Sequence, residues 1–180
     1  MIKQDISENR VNISYLSIGS NLGFRYGNIR SAILEINKFA SLFAISSVYS
    51  TKPVGFLAQP YFLNLVCSIK TAMDPLQLLE RIKSLESYMG RVPIFKNGPR
   101  IIDIDILSYG DVLVDFPQLQ IPHPRMHERN FVLTPLEEIE PNFLHPLLRI
   151  TVSDLLERLP DAEEVSRIGE TIQVDLKGLD

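Results

Sequence analysis

Two aspartates, Asp103 and Asp105, stand two positions apart in the apolar run Ile101-Ile102-Asp103-Ile104-Asp105-Ile106-Leu107, directly after Asn97-Gly98-Pro99-Arg100. A run this rich in isoleucine reads as a strand. Strand side chains alternate, so Ile102, Ile104 and Ile106 face one side and both carboxylates the other. Their Cβ atoms then lie roughly 6 to 7 Å apart. Anions so close repel, and a divalent cation, or a close pair of them, held between the carboxylates relieves the repulsion. Spacing alone more commonly marks the solvated face of an antiparallel strand, so the surroundings must decide.

Those surroundings are basic. Arg91, Lys96 and Arg100 precede the aspartates, and Pro122-His123-Pro124-Arg125-Met126-His127-Glu128-Arg129-Asn130-Phe131 follows. Paired acids for Mg²⁺ with scattered Arg, Lys and His for phosphate oxygens suit transfer from a nucleoside triphosphate. That reaction needs positioning and charge neutralisation but no protein nucleophile. Standard cradles are missing: no G-x-x-x-x-G-K-[ST] occurs, and Gly19-Ser20-Asn21-Leu22-Gly23 is not a dinucleotide fingerprint. His127-Glu128 does not begin a zinc H-E-x-x-H, because Phe131 stands where the second histidine belongs.

Composition bounds the rest. With 180 residues, 45% of them hydrophobic, the chain suits one domain with a sizeable core, read here as 1–180 with its centre at about 13–150 and a tail at 160–180. Eighteen basic against 22 acidic residues give a net charge of −4. A broad nucleic-acid or anionic-membrane surface is therefore not expected, and any anion must be gripped by local basic clusters. No apolar run reaches the length of a membrane span, and residues 1–10 are polar, which points to the cytoplasm. The single cysteine, Cys67, falls on the apolar side of a strand and reads as a buried structural thiol.

The elements that must carry the aspartates follow from periodicity. Residues 13–19 alternate as a first strand, and Ile29, Ala32, Ile33, Ile36 and Ala40 recur at helical spacing over 25–39. A second strand is expected at 42–49. A proline-rich loop spans 51–61, and a third strand at 62–70 sets Leu63, Leu65, Cys67 and Ile69 opposite Phe62, Asn64, Val66 and Ser68. Asp74-Pro75-Leu76-Gln77 has the form of a capping box opening a second helix that Gly90 closes. After the Asp-x-Asp strand come a turn at 108–111 and a short strand at 112–114. Helix starts are expected at Thr134-Pro135 and Thr151-Val152, and an edge strand at 171–176. The order βαββαβ is that of a ferredoxin-like α+β fold, an antiparallel sheet with its helices on one face, here extended by C-terminal helices and the extra edge strand. The opposite face would collect Tyr15, Ser17, Phe62, Asn64, Asp103 and Asp105.

At these positions the chain resembles the 6-hydroxymethyl-7,8-dihydropterin pyrophosphokinases of the folate pathway. The likeness runs from Tyr15 to Pro146. It is carried by Ile18-Gly19-Ser20-Asn21-Leu22-Gly23, by Ser47-Val48-Tyr49-Ser50-Thr51-Lys52-Pro53, by Gln59-Pro60-Tyr61-Phe62-Leu63-Asn64 and by Gly90-Arg91. It continues through the 96–107 block, which is the family's signature, and through Pro122-His123-Pro124-Arg125-Met126. The resemblance implies transfer of the terminal diphosphate of ATP to the hydroxymethyl group of the dihydropterin, with release of AMP, by a monomer or weak homodimer. It implies that Asp103 and Asp105 hold a pair of Mg²⁺ ions, with Asp103 near enough to the substrate hydroxyl to help remove its proton. Arg91 and Lys96 would sit in a loop closing over the nucleotide, while Arg100, His123 and Arg129 neutralise phosphate charge. Glu86 and Ile106 would belong to the nucleotide site. Phe131 and a second aromatic would stack the pterin, Asn64 would read its amide edge, and Gly19, Thr51, Pro53, Val54 and Phe62 would line the pocket. Three departures stand out. Asn97 replaces a common aromatic in a loop one residue shorter, Phe62 replaces a frequent tyrosine, and Lys52 replaces a second proline.

Three other functions compete. A pterin- or nucleotide-binding protein that had lost turnover would bind both ligands without forming AMP. An RNA-binding ferredoxin-like module should show aromatics and basic charge on its sheet, not paired aspartates. An Asp-x-Asp glycosyltransferase should show a Rossmann-type pattern, which is absent.

Overall fold

The computed structural model describes residues 11–92, 95, 97–160, 164–169 and 171–174. Strands β1 (Asn12–Ser20), β2 (Ser41–Ile45), β3 (Tyr49–Thr51), β4 (Phe62–Thr71), β5 (Asp103–Tyr109) and β8 (Val165–Arg167) form one antiparallel sheet, ordered β5-β1-β4-β3-β8 with β2 also on β4. Strands β6 (Val114–Phe116) and β7 (Leu119–Ile121) pair as a separate hairpin. Helix α1 (Arg25–Phe39) follows β1, α2 (Pro75–Tyr88) follows β4, and α3 (Asn130–Ile139) and α4 (Val152–Arg158) come after the hairpin. Among the described residues no helix is long and apolar enough to cross a membrane.

Alternation sorts the strands into two faces. Leu16 and Ile18 of β1 pair across the sheet with Cys67 and Leu65 of β4 and with Ile106 and Ile104 of β5. All six are buried with Ile29, Ile33 and Ile36 of α1 and Leu78, Ile82 and Leu85 of α2. Cys67 is fully enclosed and its thiol is pushed up to about 12 by burial, as a structural cysteine should be. The capping box at α2 is complete: Leu76 and Gln77 donate backbone N–H bonds to Asp74 Oδ1 at 2.9 Å, and Asp74 N–H returns one to Gln77 Oε1 at 3.0 Å. Gly90 ends that helix at φ +85°, where a side chain would be strained.

Helices lie on one face as expected for α1 and α2, while α3 and α4 cover part of the other. Val66 and Leu107 pack there with Met126, Val132, Leu133, Leu136, Val152 and Leu155. What α3 and α4 leave uncovered is the stretch bearing Asp103 and Asp105.

Four expectations need correction. The second strand breaks into β2 and β3 where its ladder with β4 becomes irregular: Ser46 N–H donates to Val66 O, but its Oγ rather than its carbonyl accepts from Val66 N–H, and Ser47 N–H and Oγ–H donate to Glu138. The hairpin strand starts at Val114 rather than 112. Helix α3 starts at Asn130, four residues early, so Pro135 lies inside it rather than at its first turn. The edge strand is Val165–Arg167 rather than 171–176, and Ile172 is drawn into the aliphatic core instead. Residues 175–176 of that expected strand lie outside the described residues.

Candidate functional site

Strand register assembles the site in rows. Gly19 of β1 sits between Asp103 of β5 and Asn64 of β4, and Asn64 is paired in turn with Tyr49 of β3. One step along, Ser17 sits between Asp105 and Val66. Gly19 keeps the first row open: a Cβ there would stand 2.5 Å from Asn64 Oδ1. Asn64 Nδ2–H donates to Thr51 Oγ1 at 2.7 Å, which turns its carbonyl oxygen toward Gly19.

These rows floor a cleft of about 280 Å³ lined by polar residues from several elements. By strand order, the end at β3 and β4 carries Thr51, Lys52, Val54, Phe62 and Asn64 and the end at β5 carries Asp103 and Asp105, while Gly19 lies between them and Lys83, Arg91, Arg100, His123, Arg125, Arg129 and Phe131 complete the lining. Each aromatic carries a guanidinium on its ring, Arg100 over Phe62 at 5.5 Å and Arg129 over Phe131 at 5.4 Å. The apolar, hydrogen-bonding end suits a flat heterocycle, and the charged end suits a polyanion.

Both aspartates do project together from the sheet, and both meet cations. Asp103 is bridged by Arg91 at 2.7 Å and Arg100 at 3.0 Å, and Asp105 lies 3.9 Å from Arg129. Burial, and then the neighbouring Asp103 carboxylate, pushes Asp105 above the usual carboxylate range, while His123, Arg129 and Lys83 pull it back. Burial likewise lowers His123 and Arg129 from their ordinary values. Among the described residues no group of three or more His, Cys, Asp or Glu side chains could enclose a metal ion. Two carboxylates facing a cleft are instead the donor set for a hard cation that keeps water and completes its shell with phosphate oxygens.

Behind this wall, Glu86 of α2 is buried. It accepts from Ile104 N–H at 2.7 Å, from Lys83 at 2.9 Å and from Arg91 through a short contact. It thus orients Arg91 and pins the strand between the two aspartates. Pro53 is buried beside Thr51 at the start of the proline-rich loop. Ile106 opens onto an adjoining cleft of about 210 Å³ with Leu79, Pro117, Leu119 and Gln120, which shares Lys83, Asp105 and His123 with the first. His123 reaches both because its backbone N–H bonds Leu107 O at 2.8 Å, laying residue 123 beside β5.

Two loops meet above the cleft. Phe56 and Phe95 pack edge to face with centroids 5.2 Å apart, and Gln59 Nε2–H donates to Asn97 O at 3.1 Å. Asn97 takes φ +62°, a left-handed conformation that asparagine tolerates better than a large aromatic does. Asn21, buried at the end of β1, ties these parts together: its Oδ1 accepts from Arg100 N–H at 2.8 Å and its Nδ2–H donates to Gln59 and Pro60. Lys96 lies outside the described residues. Lys83 and Arg125 were not singled out from sequence. Arg125 lies within the 122–131 run already read as an anion grip, and Lys83 sits one helical turn before Glu86.

A family model described as 7,8-dihydro-6-hydroxymethylpterin-pyrophosphokinase matches residues 15–141. The chain is 46% identical over 135 residues to the 2-amino-4-hydroxy-6-hydroxymethyldihydropteridine pyrophosphokinase of Aquifex aeolicus, covering 75% of this chain and 84% of that protein. It is 42% identical over 157 residues to the folic acid synthesis protein FOL1 of Dictyostelium discoideum, covering 87% of this chain. The chain spans about a quarter of the FOL1 protein's length (24%). Wild-type HPPK-DHPS of Plasmodium falciparum, solved with pterin and p-hydroxybenzoate, shares the fold with a TM-score of 0.68 at 20% identity, over 84% of this chain and 42% of that one.

Proposed function

Because the chain belongs to the 7,8-dihydro-6-hydroxymethylpterin-pyrophosphokinase family, we propose that it transfers the terminal diphosphate of ATP to 6-hydroxymethyl-7,8-dihydropterin, releasing AMP, in folate biosynthesis. The observation that carries this reading is the joint placement of Asp103 and Asp105 at the cationic end of a cleft whose other end is aromatic and hydrogen-bonding.

In this reading the pterin lies at the end bounded by Phe62 and Phe131, with Asn64 and Thr51 on its polar edge. The nucleotide base enters the adjoining cleft beside Ile106, and its phosphates run toward Asp105. Asp103 and Asp105 would hold two Mg²⁺ ions, which would screen the triphosphate and orient its β-phosphorus. Entry of the polyanion offers Arg91 and Arg100 new partners and frees oxygens of Asp103. Arg100 is suited to this, since its buried Nε–H has no hydrogen-bond partner among the described residues. The hydroxymethyl oxygen bonds to the β-phosphorus as its proton passes toward Asp103. The bond from that phosphorus to the oxygen shared with the α-phosphate breaks. Arg100, His123 and Arg129, with Lys96, would neutralise charge shifting onto the AMP. Glu86 acts through Arg91, holding its guanidinium between the buried carboxylate and Asp103.

Incubation with the dihydropterin and Mg-ATP tests this directly. Formation of AMP and pterin diphosphate in equal amounts is expected. Tight binding of both ligands with no AMP would leave a binding protein instead.

A further inference from the structure

The matched family region ends at residue 141, yet β8, Val165–Arg167, pairs with β3 at the edge of the sheet that floors the cleft. β3 has only three residues. On one side it pairs with β4 through Tyr49 to Asn64 and Thr51 to Phe62, and on the other with β8 through Tyr49 to Arg167 and Thr51 to Val165. The residues that grip β3 from β4 are therefore cleft residues, and β8 grips the same positions from the opposite edge. Where β3 runs into loop 52–61, Glu164 meets Lys52 at 3.0 Å. Glu138 of α3 joins the strands further, accepting from Tyr49 Oη–H at 3.0 Å while lying 3.4 Å from Arg167. Past β8, Ile172 is buried in the aliphatic core, and Tyr26 Oη–H reaches Thr171 O at 3.5 Å.

We propose that β8 and the described residues around it, 164–169 and 171–174, form a positioning element for the pterin end of the cleft, holding β3 and the start of loop 52–61 so that Thr51, Asn64 and Val54 keep one geometry before ligand arrives. The proposal rests on reading this cleft as the pterin site. Without β8 a three-residue strand beside Pro53 would be an unpaired sheet edge, and such edges open locally at small cost. The backbone pairing carries most of the effect, because the Lys52–Glu164 pair is exposed and exposed pairs are weak.

The ladder shows where to cut. Ile168 N–H bonds Val48 O at 3.0 Å, so by the two-residue alternation of an antiparallel pair Ser50 and Ser166 form the next hydrogen-bonded pair. In the full chain, Ser166→Pro removes that bond without entering the cleft. The expected result is a pterin KM raised about tenfold, with ATP KM and kcat within about twofold and faster amide exchange at Ser50 and Thr51. Glu164→Gln, which breaks the exposed pair with Lys52 and leaves the cleft lining unchanged, should raise pterin KM by about twofold or less. An unchanged pterin KM in Ser166→Pro alongside faster exchange would reduce the segment to an edge cover and overturn the proposal. So would equal rises in both KM values with a lower Tm. Should the unaltered chain release no AMP, the functional reading fails by itself. The same tenfold loss, read as pterin Kd by calorimetry, would still uphold the positioning role, and its absence would end it.

Discussion

On the face of the sheet toward α1 and α2, strands β1, β4 and β5 present Leu16, Ile18, Leu65, Cys67, Ile104 and Ile106, all buried. One residue away along the same strands, the other face presents Ser17, Gly19, Asn64, Asp103 and Asp105 to a cleft. The closed face is interchangeable in chemistry and strict in register, since a slip of one residue would expose every aliphatic side chain. The open face inherits that register. Its carboxylates need no partner of their own to be placed, because the isoleucines between them are placed by the core. The cost shows in the groups held there out of their ordinary ranges: Asp105 raised, His123 and Arg129 lowered.

Exchanging chemistry on the open face should give the largest effect. Asp103→Ala or Asp105→Asn is expected to lower AMP release by about a thousandfold or more, and a near-normal rate in either would end the paired-carboxylate mechanism. Asp105→Asn should also raise the Tm of the ligand-free protein at neutral pH. A carboxyl whose folded pKa is raised costs stability once it ionises, so the advantage should shrink as pH falls through that raised value.

Adjacent residues on opposite faces sharpen the contrast. Leu65→Ala, on the closed face, should cost about 2 to 5 kcal/mol in denaturant unfolding and leave pterin affinity of the folded protein within about twofold. Asn64→Ala, its neighbour, should cost about 1 kcal/mol while weakening pterin binding about tenfold. Equal stability losses would show the faces to be less separable than their chemistry suggests. Gly19→Ala forces Asn64 Oδ1 aside, and a pterin KM raised about tenfold with a smaller change for ATP is expected in steady-state kinetics.

The smallest effect should come from His145, away from both faces. Its Nδ1 accepts from Leu147 and Leu148 N–H at 3.3 and 3.2 Å, and burial lowers its pKa. A depressed histidine lends stability above its unfolded value, and that stability is lost as pH falls through the folded one. His145→Asn, which keeps an acceptor and removes the titration, should therefore flatten the fall in Tm between about pH 7 and pH 5. An undiminished fall would assign the titration elsewhere, His123 being the next group lowered by burial.

Features set by local periodicity were legible in sequence. The stripe of α1, the capping box of α2 and the common face of Asp103 and Asp105 need only a count of 3.6 or 2. What was not legible depended on partners distant in the chain. Ser46 and Ser47 look like strand residues until Val66 and Glu138 are beside them. Ile172 and Val174 alternate like an edge strand, yet Ile172 is taken by the core, and β8 forms from the less regular Val165–Arg167. Glu86 lies on a helix with an ordinary solvent-exposed composition, and nothing local announces that Ile104 N–H and Arg91 converge on it.

Pro135 lies in the middle of α3, so the carbonyl four residues before it, that of Phe131, lacks the rung an amide would supply. The ring that walls one end of the cleft therefore rides on a turn with a missing brace, while Leu133 and Leu136 moor the rest of the rod. Phe131 is therefore held by its packing against the α3 cluster and by the Arg129 guanidinium over its ring more than by its own backbone rung.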